Sequence, residues 1–328
     1  MRHCTHCGSV INDNARFCRS CGRTVERPEI PEGVPVGNSA IRAGNTPAPT
    51  PPKKPGKFLQ IVKVVVYLVL FVQAQVVVTV ALSAFYALAH NIGAENLLGV
   101  LEYALGNTVL LSLISNLLFI GIVIAAALIL RNKVSDSLGM RRFPLRLIPA
   151  FALFGASINV LLSFLMALIP WPAEFIESQS ESYSYVSAAP LLLAILSVSL
   201  VTGLTEEILF RGIIISRLRR SFSRTFAIAV SCIVFSVFHV TPVAMTYTFI
   251  FAVFLGVFYN KYNSVWPPVI CHAAFNLTAI GLEYLADDVV LILAVLLASA
   301  AMFILSLYLI LRKGNAVINT TETQDAAA

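Results

Sequence analysis

Two adjacent carboxylates, Glu206 and Glu207, precede Arg211 in the pattern Glu-Glu-x-x-x-Arg, inside a stretch with almost no other charge. Further along, Phe235-x-x-x-His239 and His272-x-x-x-Asn276 each lie within an apolar run. Ionisable residues in a membrane span cost roughly 2.5–3.5 kcal/mol each on insertion scales, and they persist where function or internal pairing needs them. A carboxylate and an imidazole can take a proton from water. An imidazole and a carboxamide can donate hydrogen bonds to an oxyanion. The set is thus suited to activating water and stabilising a tetrahedral intermediate.

Helical periodicity sorts its members. Glu207 and Arg211 are i, i+4 neighbours and can pair on one face, which lowers the cost of both charges. Glu206 is rotated by about 100° and is left to face another group. His272 and Asn276 project the same way, and Phe235 lies one turn from His239, where it can wall a pocket. Glu206 lies 16 residues before Phe222 and His239 lies 17 after it. Unbroken helices meeting near Phe222 bring both side chains to one level, roughly 25 Å from the turn. His272 stands only 10 residues from Tyr262. It matches that level if the two helices that meet near Phe222 project beyond the membrane.

The elements that must position these groups are membrane helices. Of 328 residues, 58% are hydrophobic and 12% charged, against about 25% charged in a soluble domain. Apolar runs able to cross a hydrocarbon core of about 30 Å recur at 59–89, 108–130, 146–169, 190–216, 225–241, 243–260, 264–284 and 289–311. They predict an all-α polytopic membrane protein with about eight transmembrane helices. The first 57 residues are polar and hold no apolar signal-peptide core.

The net charge of +6 reads as topology. Stretches 90–107, 170–189 and 285–288 hold no Lys or Arg. The alternate connections hold Arg131, Lys133, Arg141 and Arg142, then Arg217, Arg219, Arg220 and Arg224, then Lys261. Lys53, Lys54 and Lys57 precede the first span, and Arg312 and Lys313 follow the last. The positive-inside rule then makes both termini cytoplasmic. Membrane lipid is the expected surround, and the basic balance requires no nucleic-acid partner.

Ahead of the spans stand Cys4-x-x-Cys7-Gly8 and Cys18-x-x-Cys21-Gly22. Two such pairs offer four thiolates to a tetrahedral structural Zn²⁺ and resemble a small zinc ribbon over residues 1–23. So short a segment buries little core, and metal binding would supply its folding free energy. Disulfide pairing is the alternative, and a reducing cytoplasm opposes it. A ribbon of this size serves as a structural element or as a docking module for a cytosolic partner. Residues 24–57, rich in Pro, predict a flexible linker. The membrane domain follows over 58–313, and a polar tail occupies 314–328.

Three motifs in this order, each on its own apolar helix, resemble the CPBP intramembrane protease family, which includes CAAX prenyl endopeptidases and bacterial Abi or bacteriocin-immunity proteases. The resemblance covers roughly residues 190–290. It implies that Glu206 activates the attacking water with help from His239, that His272 and Asn276 donate to the oxyanion, and that Glu207 and Arg211 orient the site. The expected substrate is a membrane-associated protein or peptide. Two His and one Glu also suffice for a catalytic Zn²⁺, but no H-E-x-x-H motif is present and the glutamate route needs no metal. Two other readings compete. One is a non-catalytic scaffold or immunity factor acting through the ribbon. The other is a proton-coupled transporter, which the lack of an inverted repeat disfavours.

Overall fold

The computed structural model describes residues 2–4, 10–11, 18, 24–25, 55–93, 96–284 and 288–325. It divides into two units, Met1–Gly56 with Ile318–Ala328, and Lys57–Val317. In the first, β1 (Arg2–His3) pairs antiparallel with β2 (Val10–Ile11), setting Arg2 opposite Ile11. Cys4 and Cys18 are buried there with Ile11 and Val25. Buried cysteines beside a short hairpin fit the donor chemistry of a zinc ribbon. The other two expected ligands, Cys7 and Cys21, lie outside the described residues, as does most of the Pro-rich segment.

Every regular element among the described residues of the second unit is a helix. Its helices are α1 (Lys57–Ala89), α2 (Leu97–Gly106), α3 (Thr108–Ile129), α4 (Ile148–Ala167) and α5 (Ala173–Ser187). There follow α6 (Leu191–Leu218), α7 (Arg224–Val237), α8 (Pro242–Tyr262), α9 (Trp266–Leu282) and α10 (Val289–Asp325, apolar over Val289–Arg312 and within this unit as far as Val317). Six are long and apolar enough to cross a membrane: α1, α3, α4 with its leading turn, α6, α8 and α10. The protein is therefore a multi-pass membrane protein.

The count of about eight spans is not reproduced, although every expected span coincides with a helix. α7 has 14 residues and α9 has 17, so they measure roughly 21 and 25 Å at about 1.5 Å per residue. Two local features shorten them. Val240 adopts φ 62°, and Thr241 then caps α8 by accepting from the Ala244 amide. That left-handed, β-branched residue ends the α7 run, and such a conformation costs on the order of 1–3 kcal/mol. At its other end the hairpin α8–α9 turns through Asn263, also left-handed at φ 50°, and Pro267 and Pro268 fit the first turn of α9.

Two apolar cores flank the middle of the bundle. One joins α1, α3, α6 and α7 around Phe119, Phe210 and Phe235. The other joins α4, α8, α9 and α10 around Phe151, Phe154 and Phe258. α9 packs closely on α4 because Gly155 lacks a side chain: a Cβ there would lie 2.0 Å from the Cys271 carbonyl oxygen.

α8 contributes to both cores, through Ala252 and Tyr259 to the first and Phe251, Leu255 and Phe258 to the second; α6 belongs to the first and is not a uniform α-helix. Ile195–Thr202 and Ile208–Ile215 are π-helical and bracket a short α-helical segment, Gly203–Glu207. Such i→i+5 widenings occur often at functional sites. Serine hydroxyls anchor the first stretch on both sides. Ser197 Oγ donates to the Val109 carbonyl at 2.8 Å, and Ser199 Oγ to that of Ala273 at 2.7 Å.

Candidate active site

The short α-segment between the wide turns carries both carboxylates. Glu207 points into the protein and is fully buried, as is Arg211. Arg211 Nη1 donates to Glu207 Oε1 at 2.8 Å, and Nη2 to the Ala252 carbonyl at 3.3 Å. The guanidinium also lies 4.6 Å from the Phe235 ring centroid, a cation–π contact in a desolvated setting. The i, i+4 pairing expected from spacing is thus present in the structure.

His272 reaches both glutamates. Its Nδ1 lies 2.8 Å from Glu207 Oε1, and its Nε2 lies 3.6 Å from Glu206 Oε2. This contact settles the level of His272 on geometric grounds. α9 lies against α6 here at ordinary packing distance: a Cβ on Gly203 would sit 3.7 Å from atoms of His272 and Ala273. A buried carboxylate paired with Arg accepts and does not donate, so the shared proton belongs to Nδ1. Nε2 is the atom that His272 offers to Glu206.

Glu206, His239, His272, Asn276 and Phe235 line one cavity of about 250 Å³. Phe235 walls it as its spacing suggested, with ring centroids 4.8 Å from His239 and 5.9 Å from His272. His239 sits in the turn after α7, where its Nδ1 lies 2.9 Å from the Phe235 carbonyl oxygen. A carbonyl only accepts, so Nδ1 carries the proton and Nε2 keeps its lone pair. Asn276 Nδ2 donates to the Val198 carbonyl at 2.9 Å and retains a second N–H. Among the described residues His239 forms no ion pair with either glutamate. The histidine nearest Glu206 is His272.

Several site features carry no clear mark in the sequence. α5 falls in a stretch expected to be a connection, yet it contributes Gln179, Ser182, Tyr183, Val186 and Ser187 to the cavity wall. It is fastened by a Gln179–Thr241 hydrogen bond and by Tyr183 and Tyr247 hydroxyls 3.5 Å apart. Its polar residues recur without a strong apolar stripe, which leaves periodicity little to detect. The Glu207–His272 bond joins residues 65 apart in the chain, and spacing within either helix gives no sign of it.

Among the described residues no group of three His, Cys, Asp or Glu side chains gathers as metal ligands. Glu207 is also committed to Arg211 and His272.

Fold and site together define a multi-pass membrane protein with paired glutamates, two histidines and a carboxamide grouped around a cavity in its helical bundle. Residues 188–278 match the family described as type II CAAX prenyl endopeptidase Rce1-like, and residues 3–25 match the zinc-ribbon domain. The chain carries an Rce1-like CAAX prenyl endopeptidase domain and an N-terminal zinc-ribbon domain. At the family level the former is a CAAX-type intramembrane protease domain, and its match spans all six polar site residues. No curated protein and no solved structure matches the chain.

Proposed function

We propose that this protein is an intramembrane endopeptidase that hydrolyses peptide bonds of membrane-associated proteins or peptides with water activated by Glu206. The observation that carries the reading is the double hydrogen bond on Glu207 Oε1. It fixes His272 so that Nε2 faces Glu206 at the cavity wall. Groups held by such a network need no reorganisation when charge develops, which is the main source of electrostatic catalysis.

Glu206 takes a proton from a water lying against the substrate carbonyl, and His239 assists through the lone pair on Nε2. The hydroxide oxygen bonds to the carbonyl carbon, and the carbonyl oxygen becomes an oxyanion. Asn276 offers its remaining N–H. His272 can donate from Nε2 only as the imidazolium, because its Nδ1 proton is committed to Glu207. With Arg211, that state sets two positive charges against the Glu207 carboxylate and a second negative charge that passes from Glu206 to the oxyanion, so the site stays neutral overall, as a low-dielectric setting demands. Collapse of the intermediate expels the amine, which leaves with the proton held by Glu206. No step passes through a metal.

The ribbon, with its structural Zn²⁺, serves as the docking module for a cytosolic partner, and the protein resides in the plasma membrane of a bacterium with both termini inside. Comparative membrane proteomics of wild type and Glu206→Gln tests the reading. Fragments that accumulate only in the wild type are expected, and identical fragment sets would reject it. Activity in a Cys4→Ser/Cys7→Ser variant should survive a strong chelator. Loss that only added metal restores would sink the metal-free step.

A further inference from the structure

We infer that the cavity takes its substrate from the non-cytoplasmic side of the membrane, as a polypeptide segment whose positive charge Glu283 receives at the mouth. The inference rests on the peptidase reading of the same site.

Hydrogen bonds gather the basic connections at one end of the bundle. Arg219 Nη2 donates to Asn263 Oδ1 at 3.1 Å, Lys261 Nζ to the Ile310 carbonyl at 3.3 Å, and Ser264 Oγ to the Arg141 carbonyl at 2.8 Å. Toward this end the space beneath the carboxylates is closed. Arg211 and Val265 are buried, and a Cβ on Gly212 would lie 2.6 Å from the Leu138 carbonyl oxygen. The segment through Gly139, with φ 71°, therefore runs directly across α6.

The cavity extends the other way. Its wall follows α9 from His272 to Glu283 and Tyr284 and takes in Leu191 at the start of α6 and Thr241 at the start of α8. From His272 to Glu283 is roughly 16 Å at about 1.5 Å per residue. The sequence stretches 90–107, 170–189 and 283–288 hold eight acidic residues, Glu283 among them, and no Lys or Arg. By the positive-inside rule the basic end is cytoplasmic and the mouth is not. A cytosolic carboxyl-terminal tail does not meet the carboxylates by this route. Glu283 lines the cavity, is exposed, and forms no ion pair among the described residues. A carboxylate beside a low-dielectric cleft concentrates cationic ligands there.

Labelling with a membrane-impermeant maleimide reads the direction without activity. Ser187→Cys, on the cavity wall, should react in intact cells, and Ser135→Cys, near the basic end, only after permeabilisation. The reverse pattern overturns the access claim. Quenched apolar peptides that differ only in a Lys, Gln or Glu beside the cleaved bond read the substrate class when added outside right-side-out vesicles. Cleavage that depends on Glu206 is expected from outside, with the Lys peptide preferred over the Gln peptide on the order of fivefold, and Glu283→Gln should abolish that preference. Equal turnover, or a preference that survives Glu283→Gln, overturns the role of Glu283. Cleavage only of peptide enclosed on the cytoplasmic side overturns the access claim. If no peptide is cleaved from either side or in detergent, the peptidase reading itself fails, while the labelling pattern still decides the direction of access.

Discussion

Glu206 and Glu207 are consecutive residues on one helical segment, and the bundle gives them opposite surroundings. Glu207 is sealed from solvent and holds Arg211 and His272 on a single oxygen, whereas the Glu206 side chain keeps 16% of its exposure and borders the cavity. A rotation of about 100° separates the two directions. One dipeptide thus supplies a fixed carboxylate that orients its neighbours and a second carboxylate that faces the cavity. The difference also assigns distinct costs: removing one glutamate should silence chemistry, and removing the other should loosen the fold.

Substitutions can break that contrast. Glu206→Gln should lower kcat by about 10²–10⁴ and leave the thermal unfolding midpoint in detergent unchanged. Equal activity, or a large loss of stability, would erase the distinction between the two glutamates. Glu207→Leu alone strands Arg211, and Arg211→Met alone strands Glu207; each should cost about 3–5 kcal/mol in denaturant titrations. The double variant should recover most of that loss, because two apolar side chains leave no uncompensated charge. Additive losses would show that the pair does not act as a unit. The smallest contrast concerns two glycines near His272. Gly155→Ala forces α4 away from Cys271 and should cost about 1–3 kcal/mol while reducing cleavage through the displaced His272. Gly203→Ala meets only ordinary contacts and should stay within about 0.5 kcal/mol.

Much of the site was legible because membrane burial makes charge conspicuous. The Glu207–Arg211 pair follows from i, i+4 spacing, and the common level of Glu206 and the α7–α8 turn follows from counting residues to Phe222. The count left His272 conditional, because it assumed uniform helices. The structure instead interrupts α6 with two π-helical stretches and ends α7 at Val237, two residues before His239. Hydropathy found eight apolar runs but measured composition rather than helix length, so the strained turn at Val240 escaped it. α5 escaped too, since a polar helix over a cavity looks like a loop when read by apolar periodicity. The ribbon was legible from cysteine spacing alone, independent of any packing.

A π-helical ring holds one residue more than an α-helical ring, so along α6 residue number and angular phase are uncoupled. Deleting one residue within Ile195–Thr202 would let the backbone relax to α geometry and swing the upstream side chains by about 100° relative to Glu206. Ser197 would then lose its grip on Val109 while Glu206 still faced His272. The helix is in effect two dials on one axle, one set for its grip on the flanking helices and the other for the carboxylates. A length change in this segment is a re-aiming, and the helix can be retuned at one dial without touching the other.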